Sequence, residues 1–205
     1  MIEKIKKIRE ITKLSLNECK KALEKAGGSI DDALILLQGV QAKKLDKVID
    51  RQAFEGRITS YIHTGSQVAC MVEINCETDF AARSDLFIKF CEDIAMHIVA
   101  MHPVYISKDE VSKEQEDAQK KVIRDRLAEH YEGKTEEYKD ENSRNKLRNW
   151  YREAVLMEQT SIIDQSKTIT ELIEKLSAQL GEKIVISRFE RWSVGSQIPT
   201  DSGTN

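Results

Sequence analysis

The spacing of apolar residues changes period along this 205-residue chain, and that change constrains the fold more than any other feature. Ile2, Ile5, Ile8 and Ile11 recur every third residue, and Leu16, Cys19 and Leu23 continue at intervals of three and four. That is helical spacing. Ile58, Ser60 and Ile62, then Val68, Cys70, Val72 and Ile74, occupy alternate positions, the period of a strand. Helical spacing returns at Leu86, Phe87, Phe90, Ile94, His97, Ile98 and Met101, and a β-rich run from Lys183 to Phe189 closes the ordered pattern. A chain that reads as helices, hairpin, helices and a last strand belongs to the α+β class.

Local signals divide these segments. Ser15-Leu16-Asn17-Glu18 has the form of a capping box, in which the serine hydroxyl accepts a backbone N–H and the glutamate reaches back. Gly27-Gly28 ends the helix it opens, because glycine enters the left-handed cap at no steric cost. Ser29-Ile30-Asp31-Asp32 opens a third helix with acids at its positive end, and Gly39 is expected to close it. Residues 1–39 therefore read as a three-helix module, 40–56 as a helical linker and 57–195 as a core. Gly65-Ser66-Gln67 sits between the two alternating runs and makes them a hairpin. Residues 108–130 and 136–158 read as two highly charged helices broken near Gly133-Lys134, a helical protrusion of the core at about 108–158. Thr168-Ile169-Thr170-Glu171 repeats the capping pattern, and Gly181 stops the helix behind it. The polar tail, 196–205, is expected to be disordered.

Composition excludes several classes of function. Lys+Arg 32 against Asp+Glu 35 gives a net charge of −3, so there is no global polycation and no direct nucleic-acid partner is expected. The charge is uneven: residues 1–56 carry 12 basic and 9 acidic side chains, whereas the rest carry 20 and 26. The longest apolar run, near Ile94–Met101, is interrupted by His97 and falls short of the ~20 residues of a membrane span. The charged N-terminus lacks the continuous apolar stretch of a signal peptide. Cys19, Cys70, Cys76 and Cys91 show no C-x-x-C spacing, and the four histidines form no i,i+4 pair. Neither a metal nor a cofactor is expected, and a reduced, cytoplasmic setting is.

No enzyme motif is present: no Walker loop, G-x-G-x-x-G, G-x-S-x-G or kinase signature. Asp79 could act as a general base with His97 or His102, but an aspartate at a strand exit more often caps the next turn. Phe80 follows it in the connection between strand and helix. Taken alone, this ring is either a plug beneath the next helix or a protruding anchor for a partner's pocket.

Several motifs bear on that choice. Thr12 is followed by Cys19-Lys20-Lys21-Ala22-Leu23, the junction reads Arg51-Gln52-Ala53-Phe54-Glu55-Gly56, and the strand exit reads Asn75-Cys76-Glu77-Thr78-Asp79-Phe80-Ala81-Ala82. Asp93–Ile98, Met101-His102-Pro103, Leu156–Gln159, Gly181–Ile184 and Arg188-Phe189 follow in order. Together these resemble the elongation factor Ts family, the guanine nucleotide exchange factors of elongation factor Tu, from about residue 5 to about 195. The chain departs from the family pattern between Lys13 and Ser15, where turn glycines are missing, and at Ala81, where valine is usual.

The resemblance implies a ubiquitin-associated-like three-helix module, then a core with a three-stranded antiparallel sheet packed by helices. It implies that Thr78, Asp79, Phe80 and Ala81 form a loop that enters the partner's nucleotide domain and disturbs its Mg²⁺ and phosphate site. It also implies a second grip through Leu16, Asn17, Cys19 and Lys20. Because only one core copy is present, it implies a homodimer joined through the sheet. Two other classes compete. An interaction module would bind its partner without altering nucleotide affinity. An RNA-binding protein would need exposed aromatics for stacking that the strands lack.

Overall fold

The computed structural model describes residues 1–12, 14–130 and 135–196, apart from the side chains of Lys44, Glu129 and His130. The expected helix break at Gly133-Lys134 and the tail from 197 lie outside these residues. The elements run α1 (Ile2–Thr12), α2 (Leu16–Lys25), α3 (Ile30–Val48), β1 (Glu55–Ile62), β2 (Val68–Cys76), α4 (Asp79–Ala82) and α5 (Asp85–Met101). Then come α6 (Lys113–His130), α7 (Glu136–Ala154), α8 (Ile169–Leu180) and β3 (Val185–Ser193), with short 3₁₀ turns at Lys108–Glu110 and Leu156–Glu158. The strands form one antiparallel sheet in the order β1-β2-β3. The α+β expectation, with N-terminal helices and a three-stranded sheet packed by helices, describes this architecture.

Two compact units share the chain. Of the described residues, one comprises those of Met1–Arg57, Ile74–Ile88 and Glu171–Val185, and the other those of Ile58–Glu73, Lys89–Thr170 and from Ile186 to Ser196.

In the first unit, α1 to α3 enclose a core of Ile5, Ile8, Leu14, Cys19, Ala22, Leu23, Ala33 and Leu37. The four-isoleucine stripe of α1 is only half buried: Ile5 and Ile8 face in, while Ile2 and Ile11 are exposed. At ~100° per residue, a step of three drifts by ~60°, so residues nine apart end on opposite sides of the helix. The capping box forms as expected. Glu18 N–H donates to Ser15 Oγ at 3.3 Å, and Glu18 Oε2 accepts from Ser15 N–H at 3.0 Å. The expected stop at Gly39 does not occur; α3 continues to Val48. Gly39 lacks a positive φ, and open space surrounds the position of its absent Cβ. A lone glycine weakens a helix by ~1 kcal/mol but does not end it without a left-handed cap.

The second unit holds a buried polar pair. His97, on α5, is 1% exposed, and its Nε2 lies 2.9 Å from Gln159 Oε1. Its Nδ1 accepts the backbone N–H of Ile162 at 3.3 Å, which leaves Nε2–H to donate to the amide oxygen. Gln159 Nε2 donates in turn to Glu153 O at 2.6 Å. Burial lowers the His97 pKa below its ordinary 6.5. This histidine is a satisfied structural group, and its imidazole has no free nitrogen for acid–base work. His102, the residue after α5, has φ 50° and stands just before Pro103. Helices α6 and α7 pack against one another as an antiparallel hairpin, pinned by Tyr151 Oη–H donating to Glu116 Oε1 at 3.0 Å.

Candidate partner-binding turn

The strand β2 alternates strictly at its end, with Val72, Ile74 and Cys76 buried. Thr78 then breaks the pattern as N-cap of the four-residue helix α4, accepting Ala81 N–H on its hydroxyl at 3.3 Å. The cap gives α4 its direction, and it sends neighbouring side chains opposite ways. Ala81 is 6% exposed and faces inward, whereas Phe80 is 81% exposed. The plug reading of Phe80 is therefore overturned. Ala81, Ala82 and Phe87 are the buried residues of this stretch, and the ring of residue 80 stays outside.

The turn carrying this ring is held from several directions. Glu182, just past α8, accepts the backbone N–H of Glu77 and of Thr78 on Oε2, both at 3.1 Å. Its Oε1 accepts the Thr78 hydroxyl at 2.6 Å. Glu77 completes the exchange by accepting Lys183 N–H at 2.7 Å. Arg51 Nη1 lies 3.2 and 3.3 Å from the two Glu77 carboxylate oxygens and 3.3 Å from Gly181 O. Cys76 Sγ–H donates to Thr78 O at 3.2 Å, and Ser84 Oγ–H closes the far end on Ala81 O at 2.7 Å. Charge-assisted bonds to backbone N–H groups are the stronger kind, so the Phe80 ring rides on a fixed base. Asp79 is half-buried and paired with Arg83 at 3.1 Å. It sits in the first turn of α4 and is hydrogen-bonded to no histidine, so the general-base constellation is not assembled.

The second group of expected residues is split by the fold. Leu16, Asn17 and Lys20 lie on the outer face of α2, and Lys20 reaches Glu24 at 3.9 Å. Cys19 is 0% exposed, with its sulfur 3.7 Å from Thr12 Oγ1. It belongs to the core of the helical module. Glu182 and Arg51 are the residues that sequence reasoning missed in this role. They lie inside the Gly181–Ile184 and Arg51–Gly56 motifs, yet nothing in their spacing ties them to Thr78.

Gly56 shows why its motif ends in glycine. Its backbone passes so close to β2 that a Cβ would meet Ile74 O at 2.3 Å and Asn75 Cα at 2.7 Å. Asn75 Nδ2 also donates to Glu55 O at 3.1 Å, across the same crossing.

The model of the family described as elongation factor TS matches residues 3–196. The chain belongs to the elongation factor Ts family. It is 41% identical over 191 residues to an elongation factor Ts of Coprothermobacter proteolyticus, covering 93% of this chain and 96% of the relative. An elongation factor Ts of Syntrophobacter fumaroxidans is 34% identical, with 94% and 96% covered. That of Desulfitobacterium hafniense is 38% identical, with 95% and 88% covered. The chain is thus similar to translation elongation factors along nearly its whole length. Among the described residues, no cluster of three or more His, Cys, Asp or Glu could hold a metal ion. No described helix is long and apolar enough to cross a membrane.

Proposed function

We propose that this chain is a guanine nucleotide exchange factor of elongation factor Tu, and that Asp79-Phe80 is the element that opens the partner's nucleotide site. One observation carries the reading: Phe80 is 81% exposed on a turn fastened by Glu182, Thr78 and Ser84. Burying such a ring in a partner's pocket contributes about 2–3 kcal/mol. A pre-ordered turn adds little entropic cost to that gain. Asp79 brings a carboxylate with it. Next to a nucleotide diphosphate, a carboxylate and a wedge together displace the Mg²⁺ that offsets the phosphate charge.

The chain performs no bond chemistry. It binds the nucleotide-free partner more tightly than the GDP-bound one, and linkage makes each ligand weaken the other by the same factor. GDP leaves, and GTP then expels the factor. Leu16, Asn17 and Lys20 form a second grip on the same partner, with Cys19 beneath them holding α2 in place. Four cysteines that form no disulfide suit the reducing cytoplasm in which such a partner works.

A second copy of the chain completes the assembly. The sheet exposes Ile58, Ile62, Met71 and Trp192, and Ile58, Met71 and Trp192 line a groove of about 420 Å³ bordered by the Arg188–Glu73 ion pair at 2.7 Å. Apolar side chains gathered this way on one sheet face mark an interface. An isologous dimer through this face brings two such cores together.

The exchange reading is tested by loading elongation factor Tu with fluorescent GDP and chasing with unlabelled GDP. The native chain should accelerate release strongly. Phe80→Ala should keep the fold, because the ring touches solvent, and lose roughly tenfold or more of the acceleration. Acceleration by neither chain sinks the exchange reading in favour of a pure interaction module. Equal acceleration by both removes Phe80 from the mechanism and keeps the exchange.

A further inference from the structure

Acidic and basic side chains are unevenly placed on the α6–α7 hairpin. Residues 118–128 carry 4 basic side chains and 1 acidic one, and residues 142–152 carry 4 and none. The antiparallel pairing, fixed by Tyr151 against Glu116, sets these two stretches side by side. Lys120, Arg124 and Arg144 line one groove of about 340 Å³, with Ile123, Ser143, Leu147 and a single carboxylate, Asp140. Lys121 follows Lys120 on α6, and Arg148 lies one turn beyond Arg144 on α7. Lys120 is neutralised by Glu116 at 3.0 Å and Asp117 at 3.6 Å. Lys121, Arg124, Arg144 and Arg148 form no ion pair among the described residues. The result is a strongly positive band on a chain whose net charge is −3.

We infer that this band is a docking surface for the phosphate backbone of double-stranded RNA. The screening length at physiological salt is ~8 Å, so the acidic surface elsewhere does not cancel a local field of this kind. Global net charge is therefore a poor guide to this face. Three arginines present planar forks that match phosphate oxygens in pairs. The apolar residues of the groove, Ile123 and Leu147, are buried and half-buried, so the band lacks the exposed apolar centre that a protein interface needs. Val122 and Tyr138 are the exposed large apolar residues of the two described helices, and neither lines the groove. Nor does it offer aromatic rings to unstacked bases, which favours a duplex gripped by its backbone over a single strand. Contacts of this type position an RNA without reading its sequence.

The test uses the full chain, a 20-base-pair RNA duplex of arbitrary sequence and fluorescence anisotropy. Binding should be measurable at 50 mM salt and fall roughly a hundredfold by 200 mM, as expected when about four phosphates are neutralised. The triple variant Arg124→Gln/Arg144→Gln/Arg148→Gln removes three exposed charges and should bind at least tenfold more weakly. The control variant Lys6→Gln/Lys7→Gln/Arg9→Gln removes three exposed charges from α1 and should bind like the native chain. Circular dichroism confirms that each variant is folded. No binding at 50 mM salt, or equal loss in the two variants, overturns the inference. Tighter binding of poly-glutamate than of RNA also overturns it, and assigns the band to an acidic protein surface.

Discussion

A phenylalanine ring left in water forgoes the 2–3 kcal/mol its burial would contribute, and Phe80 does so beside two alanines that are buried. The position of this residue between strand and helix was legible from the alternation ending at Cys76. Its direction was not. A single aromatic next to an acid fits both a plug and an anchor, and the choice depends on how Thr78 caps α4. The clamp on that cap was invisible for a simpler reason: Glu182 is 104 residues from Thr78. Glu182→Gln should retain the side-chain volume but lose charge and one acceptor. We expect exchange stimulation to drop severalfold, with the melting temperature lower by a few degrees. Nucleotide-release kinetics and calorimetry check the two effects separately, and unchanged kinetics would leave Glu182 with a structural role only.

His97 carries a second residue-scale prediction. Its folded pKa is depressed by burial, so the unfolded chain binds the proton first as pH falls. Stability should be fully present above the unfolded value of ~6.5 and decline below it, down to the depressed folded pKa. Urea midpoints measured from pH 7.5 to 5 should fall, and should fall less steeply in His97→Gln. A native chain whose midpoint is flat across that range would contradict the neutral, doubly bonded imidazole.

Among the elements, the sequence located the helices and strands better than it explained their ends. The capping box at Ser15 was readable because both partners lie within four residues of each other. The fate of Gly39 was not, because a glycine ends a helix only when the chain beyond it adopts the left-handed cap, and α3 goes on through Leu45 and Val48 instead. Two glycines accordingly predict opposite signs. Gly39→Ala, at an exposed helical site with open space around the Cβ, should stabilise the fold by about 0.5–1 kcal/mol. Gly56→Ala would force a methyl against the Ile74 carbonyl and should cost more than about 2 kcal/mol. Chemical denaturation of the two variants decides both. The motif around Gly56 was evident in the sequence, but its physical cause, the close passage of one backbone over another, needed the fold.

At the scale of the whole molecule, the apolar face of the sheet is the feature that the alternating pattern half revealed. Ile58 and Ile62 fall in step with the buried residues of β2 by sequence alone, yet both are exposed at the sheet's edge. The pattern gives the period of each strand but not which side its neighbours cover. Light scattering at micromolar concentration should report a mass close to twice 23.5 kDa. Ile58→Glu/Trp192→Glu should shift it to the monomer, since two buried carboxylates facing apolar surface are costly. A native monomer at these concentrations would end the dimer proposal without touching the exchange activity of Phe80.

The four cysteines are all buried, two in each compact unit: Cys19 and Cys76 in one, Cys70 and Cys91 in the other. Burial lifts Cys70 and Cys76 to pKa values of about 11, so at neutral pH only about one such thiol in ten thousand is ionised. An alkylating reagent therefore finds almost nothing to attack until the polypeptide breathes. Each pair becomes a built-in clock. Peptide-resolved labelling rates would time the transient opening of either unit independently, with no engineered probe and no disturbance of the surface that meets the partner.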